Sequence, residues 1–191
     1  MQEREPKTGT SQRPKVSADE LAVKFDEALK AHQAGKLQKA KKLYQKLLKI
    51  DPDCNDALHM LGLIAHQSGN NDMALRLYRK AIANNRNSPE LCTNFGNALQ
   101  AAGQMEEAIT AFGEAIVINP NFALAHNNLG NALSIVGKKD EAMASLRKAV
   151  ALVPNYAQAY FNLGNLLYET GKLDEAISSF WQAIAIEPVF T

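Results

Sequence analysis

The stretch "NNLGNAL", Asn127 to Leu133, sets three asparagines inside an apolar run. Asparagine is a poor helix former because its carboxamide competes with the backbone for hydrogen bonds. The string recurs in register as "TNFGNAL" (Thr93 to Leu99) and "FNLGNLL" (Phe161 to Leu167), each 34 residues away. The asparagines therefore belong to an internal repeat, and the repeat decides the fold. Glycines stand at 35, 69, 103, 137 and 171, and alanines at 40, 74, 108, 142 and 176. A third column holds Tyr44, Tyr78, Phe112, Leu146 and Phe180, and a fourth Leu47, Ala81, Ala115, Ala149 and Ala183. A fifth reads Pro52, Arg86, Pro120, Pro154 and Pro188.

Five units result, 21–54, 55–88, 89–122, 123–156 and 157–190, and each reads as two helices. The glycine column ends a first apolar-periodic stretch, as a helix C-terminus requires. A second stretch follows, for example "MEEAITAFGEAIVI" (Met105 to Ile118), with Ala108, Phe112, Ala115 and Ile116 on one face. The proline column stops it, since proline lacks a backbone donor and restrains the residue before it. At Arg86 the stop moves downstream, where Ser88 serves as N-cap and Pro89 as first helical residue. "SADE" (Ser17 to Glu20) is a capping box opening the array at 18, and the polar segment 1–17 is expected to be disordered.

A 34-residue pair of helices with these small, aromatic and proline columns resembles the tetratricopeptide repeat, or TPR. The resemblance covers 21–190 and implies an all-α, right-handed α-solenoid whose first helices line a concave groove. Its departures gather in the first unit, where Lys24 and Glu27 replace residues such as Leu58 and Leu61, so that helix is expected to pack differently. Similar "NLGN" arrays precede the catalytic domains of O-GlcNAc transferase-like proteins, which implies an alternative role as the substrate-recruiting arm of a larger enzyme. No such domain is read within these 191 residues.

A second glycine column, Gly62, Gly96, Gly130 and Gly164, falls inside the first helices, where glycine costs up to about 1 kcal/mol relative to alanine. Close approach to the alanine column of the second helix is the expected reason. No GxGxxG or GxxxxGK[ST] string occurs, so the glycines do not read as a phosphate cradle.

At about 100° per residue, Tyr160, Leu163, Gly164 and Leu167 form a core stripe opposite Phe161, Asn162, Asn165 and Tyr168. The second stripe is the expected groove lining, continued by His59, Asn94 and Asn97, then Asn127, Asn128 and Asn131. Thr93, aligned with Asn127, is expected there too. A row of carboxamides can hold an extended peptide backbone whatever its side chains. The bland alternative is asparagine that is only solvated or bonded to a neighbouring repeat. Neither lysine nor arginine appears on this lining, which speaks against carboxylate-clamping specificity and against nucleic acid.

The totals agree with a noncatalytic protein-interaction scaffold. The 191 residues are 46% hydrophobic and 21% charged with a net charge of +1, giving no general pull toward nucleic acid or anionic membranes. No apolar stretch is long enough to span a bilayer and the start lacks a secretory signal, so a cytoplasmic location without membrane insertion is expected. Cys54 and Cys92 lie in unrelated contexts, and His32, His59 and His66 lack a supporting carboxylate set, so neither metal nor cofactor is expected. Charge varies along the array, from +4 in 21–54 to −4 in 89–122. The expected partner is a protein or peptide, neutral to mildly basic. Because the fifth unit ends at 190, Ile177, Phe180, Trp181 and Ile184 are expected to form an open apolar end, making a homo-oligomer through the C-terminal helix possible by symmetric pairing or head-to-tail stacking.

Overall fold

The computed structural model describes residues 17–85 and 87–188, which form ten α-helices and no strand. Of segment 1–17, expected to be disordered, Ser17 is described and residues 1–16 lie outside the described residues, as does Arg86 of the proline column. The chain divides into two compact units, one ending at Pro52 and one beginning at Asp53.

The first unit holds α1 (Ala18–Gln33) and α2 (Leu37–Ile50). Ser17 caps α1 by accepting the Glu20 backbone N–H at 3.2 Å. Its core is Ala28, Ala31, Ala40, Tyr44 and Leu47, with the Phe25 ring 5.7 Å from that of Tyr44. The charged residues that depart from the repeat pattern stay at the surface, because burying a charge is costly, and meet one another in ion pairs there. Lys24 meets Glu20 at 2.7 Å, Lys30 meets Asp26 at 2.6 Å, and Glu27 meets Lys39 at 3.5 Å.

The second unit is a helical-repeat solenoid of four hairpins: α3 (Asn55–Gln67) with α4 (Asn71–Asn84), α5 (Pro89–Ala101) with α6 (Met105–Ile118), α7 (Ala123–Ile135) with α8 (Lys139–Leu152), and α9 (Ala157–Glu169) with α10 (Leu173–Ile186). Each first helix from α5 onward also packs on the second helix of the preceding hairpin, and α3, α5, α7 and α9 touch in succession along one face. Every hairpin turns on a left-handed glycine, such as Gly137 at φ +82°. There the Lys138 N–H reaches back to the Leu133 carbonyl at 2.9 Å, closing the helix end as a Schellman motif. A side chain at that φ would be strained, which is why the glycine column has no exceptions.

The inner glycines do pack closely, mainly against the third column and, at Gly130, also against the alanine column. A Cβ on Gly96 would stand 2.5 Å from Phe112, on Gly62 2.6 Å from Tyr78 and on Gly164 2.6 Å from Phe180. The residue lying on the glycine is thus the large one of the third column, because its side chain reaches across the hairpin while alanine only lets the backbones close. At Gly130 the partners are Leu146 Cγ at 2.6 Å and the Ala142 carbonyl at 3.0 Å.

Gly130→Leu should accordingly destabilise the protein by about 1–3 kcal/mol, the usual range for overpacking. Gly113, in α6, has nothing within 4 Å of a built Cβ, so Gly113→Ala should raise stability by up to about 1 kcal/mol. Urea unfolding of the two variants checks both signs; equal effects would mean that helix propensity rather than packing governs the inner column.

Candidate functional site

The outer stripe of the first helices carries a directed chain of five carboxamides. Gln158 Nε2 donates to Asn162 Oδ1 at 2.9 Å, and Asn162 Nδ2 donates to Asn127 Oδ1 at 2.9 Å. Asn127 Nδ2 then donates to Asn128 Oδ1 at 3.1 Å, and Asn128 Nδ2 to Asn97 Oδ1 at 2.8 Å. The chain crosses from α9 to α7 and from α7 to α5, so the asparagines that weaken each helix locally tie consecutive hairpins together. A neutral hydrogen bond contributes about 0.5–1.5 kcal/mol net, enough to offset asparagine's low helix propensity.

These bonds sort the expected groove residues. Asn127 is not on the open surface: it is only 5% exposed, because its carboxamide is wedged between α7 and α9 as the central link of the chain. Asn97, Asn128 and Asn162 are half-buried links. Thr93 leaves the lining altogether, fully buried with its hydroxyl donating to the Pro89 carbonyl at 2.7 Å. Asn131 is half-buried and Asn165 exposed, and neither makes a side-chain hydrogen bond among the described residues. Phe161 and Tyr168 are 36% and 66% exposed on the same stripe. Gln158 was not predicted, although its place one turn before Asn162 on one helix face is a readable signal.

Two clefts flank Asn131. One, of about 370 Å³, is lined by His66, Asn97, Gln100, Ala101, Asn128 and Asn131. The other, of about 220 Å³, lies between α7 and α9 beside Asn131, Ser134, Asn162, Asn165 and Glu169. Lysine and arginine are absent from both linings, so the walls present uncharged donors and acceptors with a single carboxylate at the rim.

Farther along, Asn94 Nδ2 lies 2.8 Å from His59 Nε2. An amide nitrogen only donates, so His59 Nε2 is the acceptor and the imidazole is neutral. Burial holds its pKa below the ordinary histidine value, with Asp56 and Glu90 opposing the shift. His66 differs, its Nδ1 donating to Asn71 Oδ1 at 3.0 Å.

On α10, Ile177, Trp181 and Ile184 are 55%, 66% and 47% exposed. Leu173 extends the stripe by one turn. Phe180, expected with them, instead belongs to its own hairpin: it is half-buried over Gly164, with its ring 5.9 Å from that of Phe161. Of the counterparts of Ile177 in the preceding hairpins, Leu75 and Met143 are buried and Ile109 is half-buried. Among the described residues no group of three His, Cys, Asp or Glu could hold a metal ion, and no helix is long and apolar enough to cross a membrane.

A histidine with a lowered folded pKa gives stability that is complete above its unfolded value near 6.5 and lost as pH falls through the folded value. Thermal stability should therefore fall below about pH 6.5, and His59→Gln should flatten that part of the profile. Superimposable profiles for the two proteins between pH 7 and pH 5 would remove His59 from the account.

Tetratricopeptide-repeat profiles match residues 25–89, 96–134, 136–171 and 157–190. No curated protein sequence matches the chain significantly. Among solved structures, MamA is similar at 27% identity over 84% of this chain and 94% of that one, with a TM-score of 0.76. PilF of Pseudomonas aeruginosa is similar at 25% identity over 85% of this chain and 76% of that one, with a TM-score of 0.78. The fold is also that of YrrB, described as a TPR protein with an unusual peptide-binding site, at 22% identity over 86% and 85% of the two chains and a TM-score of 0.71.

Proposed function

Because the chain belongs to the tetratricopeptide-repeat family, we propose that it is a noncatalytic scaffold holding an extended, neutral to mildly basic segment of a partner protein along its first helices. The observation that carries this reading is the division of the carboxamides. The chain from Gln158 to Asn97 fixes the wall, while Asn131 and Asn165 keep all their hydrogen-bonding capacity at the edges of two clefts. Peptide backbone is the ligand class that offers alternating donors and acceptors to such groups without requiring charge. Glu169 at the rim is offset by Lys139 at 3.5 Å, so the cleft suits a segment without strong charge.

Asn131→Ala with Asn165→Ala should reduce capture of the partner from a cell extract about tenfold, the equivalent of roughly 1.4 kcal/mol. Stability should change by less than about 0.5 kcal/mol, as for other surface substitutions outside a network. Unchanged capture by this double variant would sink the reading.

The exposed stripe on α10 supports a second role, association with another copy of the chain. Head-to-tail stacking would set α1 of one copy on α10 of the next, and the residues of α1 that would be covered include Glu27 and Lys30, counterparts of Leu61 and Ile64. Burying such charges costs several kcal/mol per ion, whereas two α10 stripes pair apolar surface with apolar surface. A symmetric dimer that closes on itself follows. Sedimentation should show dimerisation below about millimolar concentration, abolished by Ile177→Lys with Trp181→Glu; a parent that stays monomeric there excludes this role.

A further inference from the structure

We propose that the segment held between α7 and α9 is a polyproline II helix, a proline-rich stretch rather than a β-strand. The inference rests on the peptide-scaffold reading and specifies its ligand. Its first support is spacing. Asn131 and Asn165 are equivalent residues of consecutive repeats, on helices that touch and are bridged by the 2.9 Å bond from Asn162 to Asn127. Helices packed in this way lie about 8–10 Å apart, so the two free carboxamides recur at about that interval. A β-strand presents the same face every two residues, about 6.6–6.8 Å, and falls out of step within one repeat. A polyproline II helix presents the same face every three residues, about 9.3 Å. One turn of ligand then matches one repeat of protein.

The second support is chemical. The polyproline II backbone makes no internal hydrogen bonds, so its carbonyls are open to donors. Asn131 and Asn165 each offer two N–H groups that nothing in the described structure uses. Proline rings in turn dock against exposed aromatic side chains. Tyr168, 66% exposed, and Phe161, 36% exposed, share the stripe with Asn165.

The test uses the full chain labelled with nitrogen-15 and three capped twelve-residue probes: four Ala-Pro-Pro triplets, four Ala-Gly-Gly triplets, and an alternating Val-Thr strand former. The Ala-Pro-Pro probe should shift the side-chain amide signals of Asn131 and Asn165, bind at least tenfold more tightly than the Ala-Gly-Gly probe, and weaken about tenfold with Tyr168→Ala. Tyr168 is exposed, so that variant retains the fold, which its amide spectrum verifies. Failure of the Ala-Pro-Pro probe to move either asparagine signal overturns the polyproline assignment, as does tighter binding of the Val-Thr probe at the same signals. In either case loss of partner capture by the Asn131 and Asn165 double variant would leave the peptide-scaffold reading standing. Unchanged capture would remove both.

Discussion

The contact on which each hairpin of the second unit depends is that between a large side chain of the second helix and a glycine of the first. Tyr78 on Gly62, Phe112 on Gly96, Leu146 on Gly130 and Phe180 on Gly164 repeat one geometry with three different side chains. The third-column residue is conformationally confined and fully buried at Tyr78 and Phe112, so the hairpin angle cannot vary without opening a void or forcing an overlap. The first unit solves the same problem with one more atom: Ala28 occupies the inner-glycine position, fully buried in the same core as Tyr44. With the angle set, the outer stripe of each first helix faces the same way in successive hairpins. Only then can side chains 31 or 35 residues apart, such as Asn128 with Asn97 and Asn162 with Asn127, meet at hydrogen-bond distance.

The carboxamide chain has a direction as well as a length. Each linking group spends one N–H on its neighbour and keeps the other, and each acceptor oxygen keeps a lone pair. The face is therefore fixed in place without being chemically exhausted. Charged links would have fixed it more strongly per bond, but they would have imposed one sign of charge on anything lying across them. The ion pairs of the second unit lie outside this chain, on more than 40% exposed side chains such as Arg147 with Glu175 at 2.7 Å and, at the cleft rim, Lys139 with Glu169 at 3.5 Å, where they contribute little.

The fold was legible because its determinants are backbone constraints that leave a one-letter trace. Left-handed turn glycines, helix-stopping prolines and the Ser88–Pro89 start are each dictated by φ or by a missing donor, and the bounds of α6 coincide with the stretch read from periodicity. The site was legible only in part, because it depends on which way a polar side chain turns. Asn127 and Asn128 are adjacent and identical in type, yet one is buried and the other half-exposed. Thr93 aligns with Asn127 but bonds its own helix backbone at Pro89, an option open to a hydroxyl one turn along and not used by the carboxamide. Phe180 aligns with apolar end residues in sequence, and only the space above Gly164 shows that it fills its own hairpin. Helical periodicity places a residue on a face; rotamer choice and the neighbour across the repeat decide what the residue does there.

Magnitudes divide the labour on the outer face. A neutral hydrogen bond to a ligand adds about 1 kcal/mol net, so two free carboxamides alone would leave binding far short of the roughly 8 kcal/mol of a micromolar complex. Apolar area must supply most of the remainder, at about 25 cal/mol per Å². The exposed rings of Tyr168 and Phe161 are the groups on α9 positioned to do so, and burying an aromatic side chain contributes more than any single amide. On the proposed reading, asparagine would act as the register mark, and the aromatic rings as the source of affinity. Such a face would discriminate by backbone conformation and spacing more than by side-chain identity, which suits a scaffold whose walls carry no cation and a single rim carboxylate.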